Sequence, residues 1–407
     1  MGLFQKIKGA FNPKGMGSAE LERLILSGYG GGTNSGVSVT SDTAMRLMTV
    51  HACVKVLYES IAQLPFHLME TDGDKKAKAK THPLYRILHD TPNQWMTAPE
   101  FWGMCVAHLA LRGNFYAFKA GLPGRGVRGL IPIKFGAVEE VEQKEDFSLV
   151  YRVRNPKTGE RKDYSQEEIF HVRGITVNGY TGINPIQEAR ESIGLGLAGE
   201  QFLSRYFSSG MHPGAIIKHP KILNDQTRAA LKGAFEENYA GLGKSHNAML
   251  IEDGMDAVFP PIKLVDAQFL ELAKLTQSQI CGIFRVPLML VQAGDAPTTY
   301  ASAEQFMLAF VTHALTPIVV NIEKAVYRDL LTDEEKDKHF AKFEMRGLLR
   351  GAFKEQMEGL QTAVNTEIIN PNEARDILDM NPYPGGDEYR TRTSTVKQQA
   401  PATGEAK

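Results

Sequence analysis

The segment that most restricts the fold is "QFMLAFVTHALTPIVVNI", Gln305 to Ile322, which contains no Asp, Glu, Lys or Arg. A run this apolar has to be buried, in protein or in lipid. It approaches membrane-span length, but Gln305, Thr312, His313, Thr316, Pro317 and Asn321 interrupt it. We read it as a core helix rather than a span. Ser302 with Gln305 forms a capping-box pattern at its start, and the helical pattern runs to about Leu331. Pro317 lies inside it. Proline lacks an N–H and clashes with the preceding turn, so a bend is expected there.

Two other long helices are predicted. One runs from about Leu264 to Arg285, with Val265, Phe269, Leu272, Ile280 and Ile283 near one face. The other opens at Asn184, a good N-cap, with Pro185 in first position and Gln187 completing a capping box, and ends near Gly210. Gly194, Gly196 and Gly199 match GxGxxG but fall in mid-helix. A dinucleotide site needs a strand before the motif and a helix beginning at it, so these glycines read as close-approach positions. "GLGKS", Gly241 to Ser245, lacks the upstream P-loop glycine, since Asn238 stands there.

The rest is α+β. Residues 1–42 read as a mobile arm and 390–407 as a tail, because neither can bury enough apolar surface to offset its ordering entropy. A helix follows from Thr43 to Pro65, then a strand, an Asp-Gly turn and a basic loop, Lys75 to Lys80. Two helices split by a Thr-Pro-Asn turn come next. Thr97 or Ala98 opens the second and Gly113 ends it. Strands follow at "NFYAFKA", "LIPIKF", "VEEVEQ", "SLVYRVRN" and "EEIFHVRG". Residues 211–262 read as a compact strand–helix–strand block.

Composition narrows the function. With 46 Lys and Arg against 47 Asp and Glu, the chain carries a net charge of −1. Tight static neutralisation of nucleic-acid phosphates is not expected. The three cysteines, Cys53, Cys105 and Cys281, form no CxxC pair and read as buried thiols. The N-terminus is too short in apolar residues for a signal peptide, and Lys6 stands where myristoylation needs Ser or Thr. No HxH, HExxH or GxSxG occurs. The carboxylate pairs Glu139/Glu140 and Glu167/Glu168 are consecutive and would point to opposite faces of a strand. No catalytic constellation, metal set or cofactor motif emerges.

Several stretches, in order, resemble the HK97-like family of phage portal proteins. They are "HDTPNQWMTAPEFW", "LRGNFYAF", "EEIFHVRG…GYTGINPIQEAR", "NAMLIEDGM", "FRVPLMLV" with Thr299 to Gln305, and "INPNEARDILDMNPYPGGDEY". The resemblance covers about Thr43 to Tyr389. It implies a ring oligomer, normally a dodecamer, at one capsid vertex of the virion, with double-stranded DNA passing through its tunnel. Assembly would occur in the host cytoplasm. Implied partners are the terminase large subunit, then the head–tail adaptor, and the major capsid protein; neither a membrane nor a cofactor is implied.

Carried onto this sequence, the resemblance makes 43–184 the wing, 185–210 and 263–286 the stem helices and 211–262 the clip. Residues 287–302 become the tunnel loop, 303–349 the kinked helix and wing return, and 350–389 the crown and C-terminal helices. The loop would present Gln292, Asp295, Thr298, Thr299 and Tyr300 to DNA, with Pro317 as hinge behind it. Gly194, Gly196 and Gly199 would pack stem helices, and Lys218, Lys221, Lys232 and Lys244 would lie on the docking surface of the clip. From Val286 to Ile322 there is no Lys or Arg, which would keep each DNA contact weak. The alternatives are another ring component of a virion or gene-transfer particle, such as a head–tail adaptor; a terminase, whose Walker motifs are missing; or an unrelated soluble enzyme with a dispersed site.

Overall fold

A computed structural model describes residues 32–73, 75–121, 126–208, 216–218, 225–230, 233, 256–258, 267–291, 300–345, 348, 350–378 and 380–389. Along the chain, α1 (Ser41–Ala44) and α2 (Met48–Ala62) precede β1 (Phe66–Asp72) and β2 (Lys75–Lys78). Next come α3 (Pro83–His89), α4 (Ala98–Arg112), β3 (Asn114–Ala120), β4 (Gly129–Pro132), β5 (Val138–Gln143), β6 (Leu149–Arg154), β7 (Arg161–Ser165) and β8 (Ile169–Arg173). Then follow α5 (Pro185–Glu188), α6 (Arg190–Ser208), β9 (Ile216–Lys218), β10 (Asp256–Val258) and α7 (Ala267–Phe284). Last are α8 (Leu288–Val291), α9 (Tyr300–Phe310), a π-helical segment Val311–Leu315, α10 (Thr316–Asp329), α11 (Asp333–Lys336), β11 (His339–Phe343), α12 (Arg350–Asn365) and α13 (Pro371–Ile377). The chain forms two compact units, residues 1–53 with 185–284, and residues 54–184 with 285–407.

Among the described residues the second unit holds three antiparallel sheets, in the orders β11-β1-β2, β4-β3-β8 and β5-β6-β7. Local chemistry sets its helix ends. Thr97 caps α4, donating from its N–H and its hydroxyl to Glu100 Oε2 at 2.8 Å each. Gly113 ends α4 at φ 72, a left-handed conformation that suits glycine. Trp102 lies at the centre of the core. Its indole N–H donates to Leu88 O at 3.0 Å, and its ring meets the Phe66 ring at 4.8 Å, nearly perpendicular.

In the first unit α6 packs along α7. Its core contains Leu47, Val50, Cys53, Ile193, Leu197, Ile280 and Cys281. Residues 32–42, expected in the arm, pack here as well. Thr33 lies over Gly194, Asn34 N–H donates to Glu191 Oε2 at 3.1 Å, and Thr40 with Thr43 forms a capping box on α1.

Four further sequence expectations change. The basic run at 75–80 is not a loop at its start: β2 pairs with β1, so Lys75–Lys78 form an edge strand, which suits charge. β7 has no counterpart among the expected strands, because RKDYS has almost no apolar alternation; it sits exposed at a sheet edge. On α7, Ile280 is buried while Leu272 and Ile283 are exposed, so the inward face is shifted from the expected stripe. Finally, α9 begins at Tyr300, which puts Ser302 inside the helix rather than at its cap.

The helix Gln305–Asp329 is long and apolar enough to cross a membrane by length and composition. Within this chain one side of it is core: Phe310, Val311, Ala314, Leu315, Val319, Ile322 and Val326 are buried. Phe306, Leu308 and Val320 remain exposed.

Candidate functional site

The chemistry around Pro317 begins with a missing donor. In a regular α-helix the N–H of residue 317 would bond the carbonyl of His313, and proline has none. The chain widens just before it: the Thr316 N–H reaches Val311 O, five residues back, and the Thr316 hydroxyl donates to the same carbonyl at 2.8 Å. Arg285 Nη1 then donates to His313 O at 3.1 Å. Arg285 holds φ 53, a left-handed conformation uncommon for a residue other than glycine. Of the loop residues singled out, Gln292, Asp295, Thr298 and Thr299 lie outside the described residues, and Tyr300 opens α9.

The far end of the same helix is locked to a sheet. Arg328 grips Asp329 through Nε to Oδ1 at 2.6 Å and Nη2 to Oδ2 at 2.7 Å. Nη2 also donates to His171 O at 2.6 Å, and His171 N–H donates to Asp329 Oδ2 at 3.3 Å. Lys119 Nζ donates to the Asp329 carbonyl at 3.1 Å. So α10 is tied down at Asp329 by β3 and β8, while Arg285 bonds the chain one turn ahead of Pro317.

The stretches that carried the family resemblance turn out to be joints. Asn114 Oδ1 accepts from Gly182 N–H at 2.7 Å and from His171 Nε2 at 3.0 Å, while its Nδ2 donates to Gly182 O at 2.7 Å. Tyr151 hydroxyl meets His171 Nδ1 at 3.2 Å. His171 is therefore a neutral imidazole protonated on Nε2. Burial, with Arg173 and Arg328 nearby, pushes its pKa well below the usual range. Near the C-terminus Asn372 does similar work. Its Nδ2 donates to Tyr383 O at 3.1 Å and Asp387 Oδ1 at 2.9 Å, and its Oδ1 accepts from Tyr383 N–H at 3.0 Å. Each asparagine side chain ties a loop to a helix or strand end. Sequence reading marks these residues as signatures without a mechanism.

In the first unit the three glycines differ. A Cβ on Gly194 would meet Thr33 Cγ2 at 2.7 Å, and one on Gly196 would meet Leu47 Cδ2 at 2.9 Å. Gly199 has no atom within 4 Å of such a Cβ. Beside it runs a groove of about 240 Å³ lined by Leu47, Leu195, Gly199, Leu203, Leu272 and Ile280. Large apolar side chains, Leu195, Phe202, Leu272, Leu275 and Ile283, stand 39–54% exposed on α6 and α7. Of the four lysines, Lys218 ends β9 opposite Asp256 of β10; Lys221, Lys232 and Lys244 lie outside the described residues. Among the described residues no group of three or more His, Cys, Asp or Glu could hold a metal ion.

The family model for phage portal proteins matches residues 48–379. The chain belongs to that family. It is 30% identical to the portal protein of Enterobacteria phage HK97 over 356 residues, which is 86% of this chain and 82% of that one. In fold it resembles a chain in the neck of an empty gene transfer agent particle, with TM-score 0.61 and 19% identity, covering 84% of this chain and 94% of the other. An HK97-family portal protein from Corynebacterium diphtheriae gives TM-score 0.57 at 14% identity, covering 77% and 99%. Portal proteins are structural parts of the virion and not enzymes. Membership of the portal family implies a ring oligomer in the neck of the particle.

Proposed function

We propose that this portal protein forms a ring, normally of twelve subunits in its family, at one vertex of the capsid, through which double-stranded DNA is packaged and later ejected. The exposed apolar side chains of α6 and α7 carry this reading. An apolar surface of that kind on two adjacent helices marks an association face, and ring neighbours would cover it. In this reading α6 and α7 are the stem, residues 211–262 the clip, and residues 287–302 the tunnel loop. The clip meets the terminase large subunit and afterwards the head–tail adaptor, while the wing faces the major capsid protein.

The loop sequence suits passage rather than grip. A motor must move DNA past it, and each phosphate neutralised by a cation deepens a binding well. Gln292, Thr298, Thr299 and Tyr300 offer polar contact without a cation. Electron microscopy and native mass spectrometry of the purified chain test the ring. A closed ring with a hole wide enough for a duplex supports the reading; a monomer at micromolar concentration overturns it.

A further inference from the structure

Cys53 of α2 and Cys281 of α7 meet inside the first unit, with their Sγ atoms 3.8 Å apart. They are 228 residues apart in sequence, so only the fold joins them. Both are buried, at 0% and 3% exposure, yet the groove beside α7 is lined by Ile280, the neighbour of Cys281. Neither sulfur lines that groove, so only an oxidant as small as a peroxide suits a pair buried in the packing. Cys105 belongs to the second unit and has no such thiol partner.

We propose that Cys53 and Cys281 are a redox-active pair, which closes to a disulfide when the finished particle meets a peroxide. The change of compartment rests on the portal reading: the chain folds in a reducing cell interior and then leaves it. Sulfurs in van der Waals contact reach bonding distance, about 2.05 Å, through side-chain rotation and a small helix shift. Either thiol can donate to the other across this contact, so whichever ionises first is stabilised by its neighbour's S–H.

The step balances. The thiolate of one cysteine attacks one peroxide oxygen, the O–O bond breaks, and the departing hydroxide takes up the thiol proton as water. The second cysteine then attacks the sulfur of the resulting sulfenic acid; its proton and the hydroxyl leave as a second water. Two thiols lose two electrons and hydrogen peroxide gains them, giving one disulfide and two waters. The bond ties α2 to α7 across the whole intervening chain. A cross-link over so long a loop restricts the unfolded ensemble, so the oxidised unit should resist unfolding.

The experiment uses the full chain as purified, treated with hydrogen peroxide or with dithiothreitol, then denatured in an alkylating reagent and weighed. After peroxide the chain should carry one alkyl group instead of three, with a further mass loss of about 2 Da for the two hydrogens removed, and a non-reducing digest should join the Cys53 and Cys281 peptides. Cys105→Ser should leave this product intact, whereas Cys53→Ser or Cys281→Ser should abolish it. The oxidised protein should melt higher, and dithiothreitol should reverse the shift. Three alkylated thiols after peroxide, or oxygen adducts on one cysteine without a cross-link, overturn the proposal. A monomer that still cross-links counts against the ring alone, and a ring that keeps every thiol free counts against the pair alone.

Discussion

Arg285 donates its guanidinium N–H to the carbonyl of His313, at 3.1 Å, the carbonyl that Pro317 leaves without an α-helical donor. The two residues are 28 positions apart. The contact ties the residue that follows α7 to the irregular turn ahead of α10. Arg285→Ala should cost about 1 kcal/mol by removing a charged donor from a partly exposed carbonyl. In a Pro317→Ala background residue 317 has an amide to offer, so the same change should cost less. Chemical or thermal unfolding of the four proteins gives the coupling; equal costs in both backgrounds would show that Arg285 does not answer the proline.

Gly196 and Gly199 should behave oppositely. Gly196→Leu forces a side chain into Leu47, whose Cδ2 lies 2.9 Å from where the new Cβ would stand, and should destabilise the chain itself by about 1–3 kcal/mol. Gly199→Leu meets open space and gains helix propensity, so the chain should melt no lower. It fills the groove, however, and should weaken the ring if a neighbour covers it. Native mass spectrometry beside a melting curve separates the two effects. Full rings from Gly199→Leu would take the groove out of the subunit contact.

Acid should loosen the second unit. His67, His108 and His171 are all held below the usual imidazole range, chiefly by burial, and His108 falls to about 4. Lys78 adds to the effect at His67, Arg112 at His108, and Arg173 with Arg328 at His171. Between the ordinary imidazole value of 6.5 and about 4, the unfolded chain binds protons that the folded chain refuses. Stability is therefore level above about pH 7 and declines as pH falls through that window. Melting scans at pH 7.5 and pH 5.0, chosen as roughly bracketing the unfolded imidazole value, should show the loss, and His108→Gln should reduce the slope. A flat profile would contradict burial of neutral imidazoles.

The loop makes a kinetic prediction. Thr298→Lys with Thr299→Lys adds two cations per subunit to a stretch that has none from Val286 to Ile322. Packaging driven by the motor should slow, most strongly at low salt, and recover as salt rises. Unchanged packaging rates across a salt series would remove the low-friction argument.

Much of the secondary structure is legible because its causes are short-range. The Thr97–Glu100 capping box, the left-handed Gly113 and the alternation of LVYRVR in β6 each act within a few residues. Where local causes are weak, the sequence misleads. RKDYS has no apolar face to declare a strand, and β6 supplies the ladder that makes it β7. Lys75–Lys78 form a strand because β1 offers an edge. The position of Ser302 suggests a cap, but helical structure extends upstream to Tyr300.

The sequence by itself determined the helices, most strands, the lack of catalytic or metal-binding motifs, and an ordered series of stretches specific enough to indicate the portal family. Periodicity, caps and turn residues operate over a few positions, so one chain displays them without a partner. Tertiary structure decided which distant groups meet. It brought Arg285 to His313, Asn114 to His171 and Gly182, and Cys53 to Cys281, and it chose the buried face of α7. Those choices depend on how whole elements pack, and no local pattern encodes a contact between residues 228 positions apart.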